Sequence, residues 1–144
     1  MHRILFFISI YFTSSLLLYS QNYNVRNYSL EDGLPQTSVY TCSQDNNGFL
    51  WFGTQGGVAM FNGIEFITYS QKDGLADNHV TSIYQDDKEN MWFGHRFDGI
   101  SCLTNGQILS LKPDSLTNSI FHLNKWENGV IAIEEHIRIF TLEI

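Results

Sequence analysis

Four side chains invite a chemical reading before any fold is considered: His79, His95, Arg96 and Asp98, two imidazoles, a guanidinium and a carboxylate in one short stretch. Together they offer donors, acceptors and a fixed positive charge, which suits a polyhydroxylated or acidic ligand such as a sugar. The competing reading is that they are solvated loop residues. Trp51 and Trp92 offer flat faces of the kind that stack on sugar rings, but each is followed by Phe and Gly in the same Trp-Phe-Gly order. That recurrence favours packing over binding.

Catalysis finds little support. Asp86-Asp87 and Glu134-Glu135 are adjacent carboxylates, whereas a glycosidase pair must face each other across a cleft roughly 5 to 9 Å wide. His2, His79, His95, His122 and His136 show no metal-ligand spacing, and no serine stands in a nucleophile-elbow motif. Calcium at Asp45-Asn46-Asn47 or Asp86-Asp87 is disfavoured, since neither run continues as a calcium loop. No catalytic residue, metal or cofactor is expected. Cys42 and Cys102 match no zinc pattern and are too few for a disulfide scaffold; two separate buried thiols are favoured over one bridge.

The elements that must position these residues come from an internal repeat. Residues 29–69 superpose on 70–110 at a spacing of 41, pairing Asp32-Gly33-Leu34 with Asp73-Gly74-Leu75, Gln44-Asp45 with Gln85-Asp86, and Trp51-Phe52-Gly53 with Trp92-Phe93-Gly94. A small insertion in the second copy then aligns Gly57-Val58 with Gly99-Ile100 and Asn62-Gly63 with Asn105-Gly106. Within each copy, short β-prone runs alternate with turn clusters: Val39–Ser43, Phe49–Gly53, Val58–Phe61 and Glu65–Tyr69, then Val80–Tyr84, Met91–Gly94, Ile100–Leu103 and Gln107–Leu111. No stretch after the leader carries the apolar period of a helix. Four strands every 41 residues is the period of a propeller blade.

The expected fold is therefore all-β, with two complete blades of four antiparallel strands and an incomplete third. Gly33, Trp51, Gly53, Gly74, Trp92 and Gly94 are its structural repeat residues. Residues 111–144 form a degenerate third repeat, with strands at Ile120–Leu123, Val130–Ile133 and Ile137–Phe140 and no final strand. Val25–Tyr28 precedes Asp32-Gly33-Leu34 as Phe66–Tyr69 precedes Asp73-Gly74-Leu75, so residues 23–28 read as an extra outermost strand able to close a ring. Propellers use about 4 to 8 blades, so the array reads as the N-terminal part of a longer protein; a small open array or sandwich is the alternative.

The combined pattern, Asp-Gly-Leu, Val39, Gln44-Asp45, Gly48-Phe49-Leu50-Trp51-Phe52-Gly53-Thr54, Gly57-Val58 and Phe61-Asn62-Gly63, resembles the two-component regulator propeller repeat. The second copy keeps most of it but has His95 where Thr is usual. The resemblance implies a periplasmic sensor region of a hybrid histidine kinase, responding to carbohydrates, with a linker, membrane helix and kinase in the remainder and homodimerisation of the whole receptor. The phosphotransfer half is not in this sequence. A secreted carbohydrate-binding or adhesion propeller without a kinase is the alternative.

Composition agrees with an exported, acidic domain. Residues 1–20 contain Arg3 and then no charge from Ile4 to Ser20, a short basic start and an apolar run that read as a signal peptide ahead of a domain at 21–144. An uncleaved N-terminal anchor is the second reading. Lys and Arg number 8 against 15 Asp and Glu, net -7; without Arg3 the balance is 7 against 15, or -8. No basic stripe is available to neutralise phosphates, so direct contact with nucleic acid is disfavoured.

Where the two copies disagree is where function is expected. In an antiparallel blade, the loop before strand 1 and the loop between strands 2 and 3 share one rim. In the second copy these loops carry His79 and His95, Arg96 and Asp98, against Ser38 and Thr54-Gln55-Gly56 in the first.

Overall fold

The computed structural model describes residues 24–111, 120–126, 129–134 and 139–142; the leader assigned to 1–20 lies outside them. Eleven strands are formed among the described residues. Blade 1 is β1 (Val39–Gln44), β2 (Leu50–Thr54), β3 (Val58–Phe61) and β4 (Phe66–Tyr69). Blade 2 is β5 (Val80–Gln85), β6 (Met91–His95), β7 (Ile100–Thr104) and β8 (Gln107–Leu111). A third sheet holds β9 (Ile120–Trp126), β10 (Gly129–Glu134) and β11 (Ile139–Leu142). In all three the strands follow chain order and pair antiparallel, and β5 lies against β1 on one side and β9 on the other. The architecture is all-β, two four-stranded propeller blades and a three-stranded sheet.

Local chemistry explains why the repeat folds this way twice. Each link between blades is a short 3₁₀ turn, Leu30–Asp32 or Gln71–Asp73, in a reciprocal capping box: Ser29 or Ser70 accepts the backbone N–H, and Asp32 or Asp73 accepts from the serine backbone. Gly33 (φ 106°) and Gly74 (φ 110°) end these turns in the left-handed region, where a β-carbon would be strained. In the turns from strand 1 to strand 2 the two recurrent residues, aspartate and tryptophan, are bonded to each other. Asp45 Oδ1 accepts the N–H groups of Asn47 and Phe49 while Oδ2 accepts the Trp51 indole N–H at 2.8 Å. Asp86 repeats this with Lys88, Asn90 and Trp92, and adds the Asn90 amide as a fourth donor.

The core lies between the blades. Trp51, Val58 and Met60 of blade 1 pack on Val80, Met91 and Phe93 of blade 2, and Trp92, Ile100 and Cys102 of blade 2 pack with Leu123 of the third sheet. Each tryptophan thus faces the next blade, as its recurrence predicts. Gly53 belongs to this contact: a β-carbon there would stand 2.5 Å from Thr41 Cγ2 and 2.9 Å from Val80 Cγ1, so the blades could not approach so closely.

Cys42 departs from expectation, and two other readings reach beyond the described residues. Val25–Tyr28 forms no strand: residues 24–29 carry no ladder pairing, and Tyr28 instead rests its ring on Phe61 and Phe66 at 5.1 and 5.3 Å. Its expected partner is the last blade of a closed ring, and no such blade is among the described residues. Cys42 is an exposed free thiol and not a buried one, because its face of blade 1 meets no other blade among the described residues; Cys102 is buried and free. The last strand of the third sheet is described over Ile139–Leu142, and residues 137 and 138 of the expected strand lie outside the described residues.

Candidate functional site

The rim of blade 2 is assembled by strand pairing. Val80 of β5 lies opposite His95 of β6, so the residues just outside that pair, His79 and Arg96, are held side by side, and the Arg96 N–H donates to the His79 carbonyl at 2.9 Å. The loop from β6 to β7 is closed by the His95 N–H on the Gly99 carbonyl, whereas in blade 1 Thr54 reaches Gly57. The extra residue in blade 2 pushes Arg96, Phe97 and Asp98 into solvent. Asp98 takes a left-handed φ of 62° to make the turn. The Arg96 guanidinium lies 5.6 Å from the Phe97 ring centre, a cation–π contact.

His79 is buried, and its ring stacks on Tyr40 of blade 1 at 4.6 Å with 27° between planes. Burial lowers its pKa below the ordinary histidine value, the Arg96 charge lowers it further, and Asp77 acts in the opposite sense. The imidazole is therefore biased to its neutral form, able to donate from one nitrogen and accept at the other. Asp77 Oδ2 is a buried carboxylate oxygen without a hydrogen bond. Tyr40 and Asp77 were not singled out from the sequence. Tyr40 aligns with Thr81, so a difference between the copies marks this strand position as it marks the loops.

His95 sits elsewhere. It has no exposed surface and points inward, its Nε2 2.7 Å from Ser101 Oγ, which also accepts the Ala76 N–H at 2.9 Å. The structure thus brings His79, Arg96 and Asp98 to one rim and places His95 behind it. Trp51 and Trp92 are buried with their indole N–H groups engaged, so neither face is open to a sugar.

A second concave feature, of about 480 Å³, opens between the outer strands β4 and β8 and is lined by Thr68, Tyr69, Asp73, Gly106, Gln107 and Ile108. Burial, with the nearby Asp73 charge, raises the Tyr69 pKa. Asp73 is already engaged by Ser70 through both its N–H and its hydroxyl, which hold its carboxyl below the usual range.

Among the described residues no group of three or more His, Cys, Asp or Glu could hold a metal ion, and no catalytic constellation is formed. Burial works to raise the Asp86 pKa, but the hydrogen bonds from Trp92, Asn90 and Lys88 outweigh it and lower the net value. Those donors occupy the oxygens a cation would need.

Blades with the tryptophan of strand 2 bonded to the aspartate of the preceding turn define the class, a β-propeller built from a short tandem repeat. Residues 33–56 and 74–97 each match the family model described as two component regulator propeller, and the segment 33–97 is a two-component regulator propeller domain. The matched stretches contain His79, His95 and Arg96 and end one residue before Asp98. A comparison with curated proteins finds no significant match.

Proposed function

We propose that this chain is part of the extracytoplasmic ligand-sensing region of a two-component sensor histidine kinase, and that the rim of blade 2 takes a carbohydrate. One observation carries the ligand reading: where the two matched repeats depart from each other, the fold gathers a neutral-biased imidazole, a guanidinium and a carboxylate, His79, Arg96 and Asp98, beside the exposed ring of Phe97. A flat apolar face next to paired donors and acceptors suits a sugar. Arg96 would favour a uronate over a neutral sugar, because a guanidinium meets a carboxylate with two parallel bonds. His95 supports the rim from behind and does not touch the ligand. The periplasmic location rests on the composition of residues 1–20, and the link to a membrane helix, a kinase and receptor homodimerisation rests on the family resemblance.

Titration calorimetry of the purified chain with neutral and uronate-containing oligosaccharides tests the site. Binding to at least one class, weakened about tenfold by Arg96→Ala, is expected, a change of roughly 1.4 kcal/mol. Absence of binding across the panel removes the carbohydrate reading. Reading the source DNA past the codon for Ile144 tests the kinase: further repeats leading in frame to a membrane helix and kinase core support it, and an immediate stop codon favours a secreted propeller.

A further inference from the structure

The hollow between β4 and β8 has walls that belong to blades 1 and 2 alone, and a comparison of the repeats explains why it is there. Tyr28 and Tyr69 hold the same place in successive repeats, four residues before Asp32 and Asp73. Tyr28 meets two rings, Phe61 and Phe66, which are cross-strand partners in blade 1. The matching partners in blade 2 are Leu103 and Ile108. The turn glycines fix that equivalence: a β-carbon on Gly33 would stand 3.2 Å from Phe66 Cβ, and one on Gly74 3.4 Å from Ile108 Cβ. Two aromatic rings are thus replaced by two aliphatic side chains, and Tyr69 stacks on Trp51 at 6.0 Å with 16° between planes. The hollow of about 480 Å³ opens where the ring volume is missing. Its size falls in the range of about 300 to 1,000 Å³ usual for small-molecule sites.

Its lining carries one sign of charge. Asp73 is the single ionisable acid there, and no Lys, Arg or His lines it. Both hydrogen bonds from Ser70 fall on Asp73 Oδ2, which anchors the carboxylate and leaves Oδ1 outside the capping box. Those bonds, and the charge of the exposed Lys72 beside it, keep Asp73 ionised. Burial and the Asp73 charge keep the Tyr69 phenol protonated, so it adds no second negative charge. Thr68 and Gln107, both exposed, add a hydroxyl and a carboxamide oxygen. Three acceptors around one fixed negative charge, against an aromatic wall, match an ammonium group, which has three donors and no acceptor.

We propose that this hollow binds a small organic cation bearing a primary ammonium group, with Asp73 taking the charge, Thr68 and Gln107 accepting further N–H bonds, and Tyr69 and Ile108 forming the apolar wall. The site is separate from the blade 2 rim, whose Arg96 guanidinium repels such a ligand, and it stands independently of the carbohydrate reading. The net charge of -7 draws cations toward the molecule as a whole.

The test is an amide chemical-shift titration of the nitrogen-15-labelled full chain with 1,4-diaminobutane, up to about 50 mM, a range that reaches millimolar affinity. Saturable shifts are expected at Asp73, Gly106 and Gln107, and none with 1,4-butanediol, which has the same length and no charge. Asp73→Asn should bind at least tenfold more weakly, since its amide still accepts from Ser70 but offers no charge. Asp32→Asn removes the same charge from the same turn of the other repeat and should bind like the parent. Circular dichroism checks folding. Gln107→Lys, on an exposed edge strand, places a cation in the hollow without touching the capping box; it should also weaken binding at least tenfold, and it decides the matter if Asp73→Asn loses its strand signal. The proposal is overturned by absence of saturable shifts at these amides, by equal shifts with the diol, or by undiminished binding in the folded Asp73→Asn or Gln107→Lys chain. Equal losses in Asp73→Asn and Asp32→Asn also overturn it, since the whole surface charge would then be responsible.

Discussion

Blades 1 and 2 are built from matching residues almost throughout, and where their inner ends differ the changes form a set. Blade 2 has Ala76, His95 and Ser101 where blade 1 has Pro35, Thr54 and Ala59. In blade 2 the Ala76 N–H donates to Ser101 Oγ, which meets His95 Nε2. In blade 1 Pro35 has no N–H to give, Ala59 has no acceptor, and Thr54 turns its hydroxyl onto its own loop, donating to the Gly57 carbonyl and accepting from Gly56. Each set pairs the donors and acceptors it places at Ser101 or at Thr54, and a mixture would strand one of them. The difference teaches that a repeat can exchange its rim only together with the buried groups beneath it.

The largest contrast between the two blades is expected at the cysteines. Cys42 lies on the open face of blade 1, while Cys102 lies between blade 2 and the third sheet. Burial first, and the charge of Asp86 second, push the Cys102 pKa from 9.0 up to about 12. A rise of that size lowers the thiolate fraction on the order of a thousandfold near neutral pH. An aromatic disulfide reagent should therefore titrate one thiol in the folded chain and two in denaturant. Two fast thiols without denaturant would mean that blade 2 and the third sheet do not stay packed.

Next come the tryptophans. Trp51→Ala or Trp92→Ala should each cost about 3 to 5 kcal/mol in denaturant unfolding, as removal of a buried aromatic does. The milder Trp→Phe change separates the blades. It removes the indole N–H along with part of the buried ring in both blades alike, leaving Asp45 with two donors but Asp86 with three, because Asn90 stands where blade 1 has Phe49. Trp51→Phe should therefore be the more costly, each falling within about 1 to 3 kcal/mol. Equal costs would show that the fourth donor contributes nothing. Asp86 also predicts a pH dependence. Its folded pKa is depressed, so its contribution is present above the unfolded carboxylate value, about 4, and is lost as pH falls through the lower folded value. Asp86→Asn should flatten that acid limb in stability measured against pH.

Much of this was legible without coordinates, for physical reasons. Strand positions followed from alternation and from turns whose Gly and Asn residues have few other conformations open to them, and all eight strands of blades 1 and 2 fall where those signals put them. The placement of Arg96 and His79 on one rim followed from antiparallel pairing alone. The bond from Asp45 to Trp51 was not legible, since recurrence marks two residues as necessary without saying that they touch. Val25–Tyr28 carries a strand-like sequence, but a ladder is a property of two segments and its partner is not visible in either. His95 reads as a rim residue because its neighbours belong there. Its alignment with Thr54, the last residue of β2, points inward instead.

The smallest effect is the most informative about that exchange. If His95, Ser101 and Ala76 act as one unit, His95→Thr should cost about 1 to 2 kcal/mol, because Ser101 Oγ loses a buried partner while still accepting from Ala76. Ser101→Ala should cost a similar amount, since it strands both the Ala76 N–H and His95 Nε2. The double variant, which approaches the pattern of blade 1, should cost less than the sum of the two by about 1 kcal/mol, the coupling expected of neighbours in one network. Adding Ala76→Pro removes the remaining unmatched donor and should recover part of the loss, provided the backbone before Asp77 accepts the ring. Additive costs through this series would mean that the three residues changed independently. In that case the rim of blade 2 could be altered without regard to what lies under it.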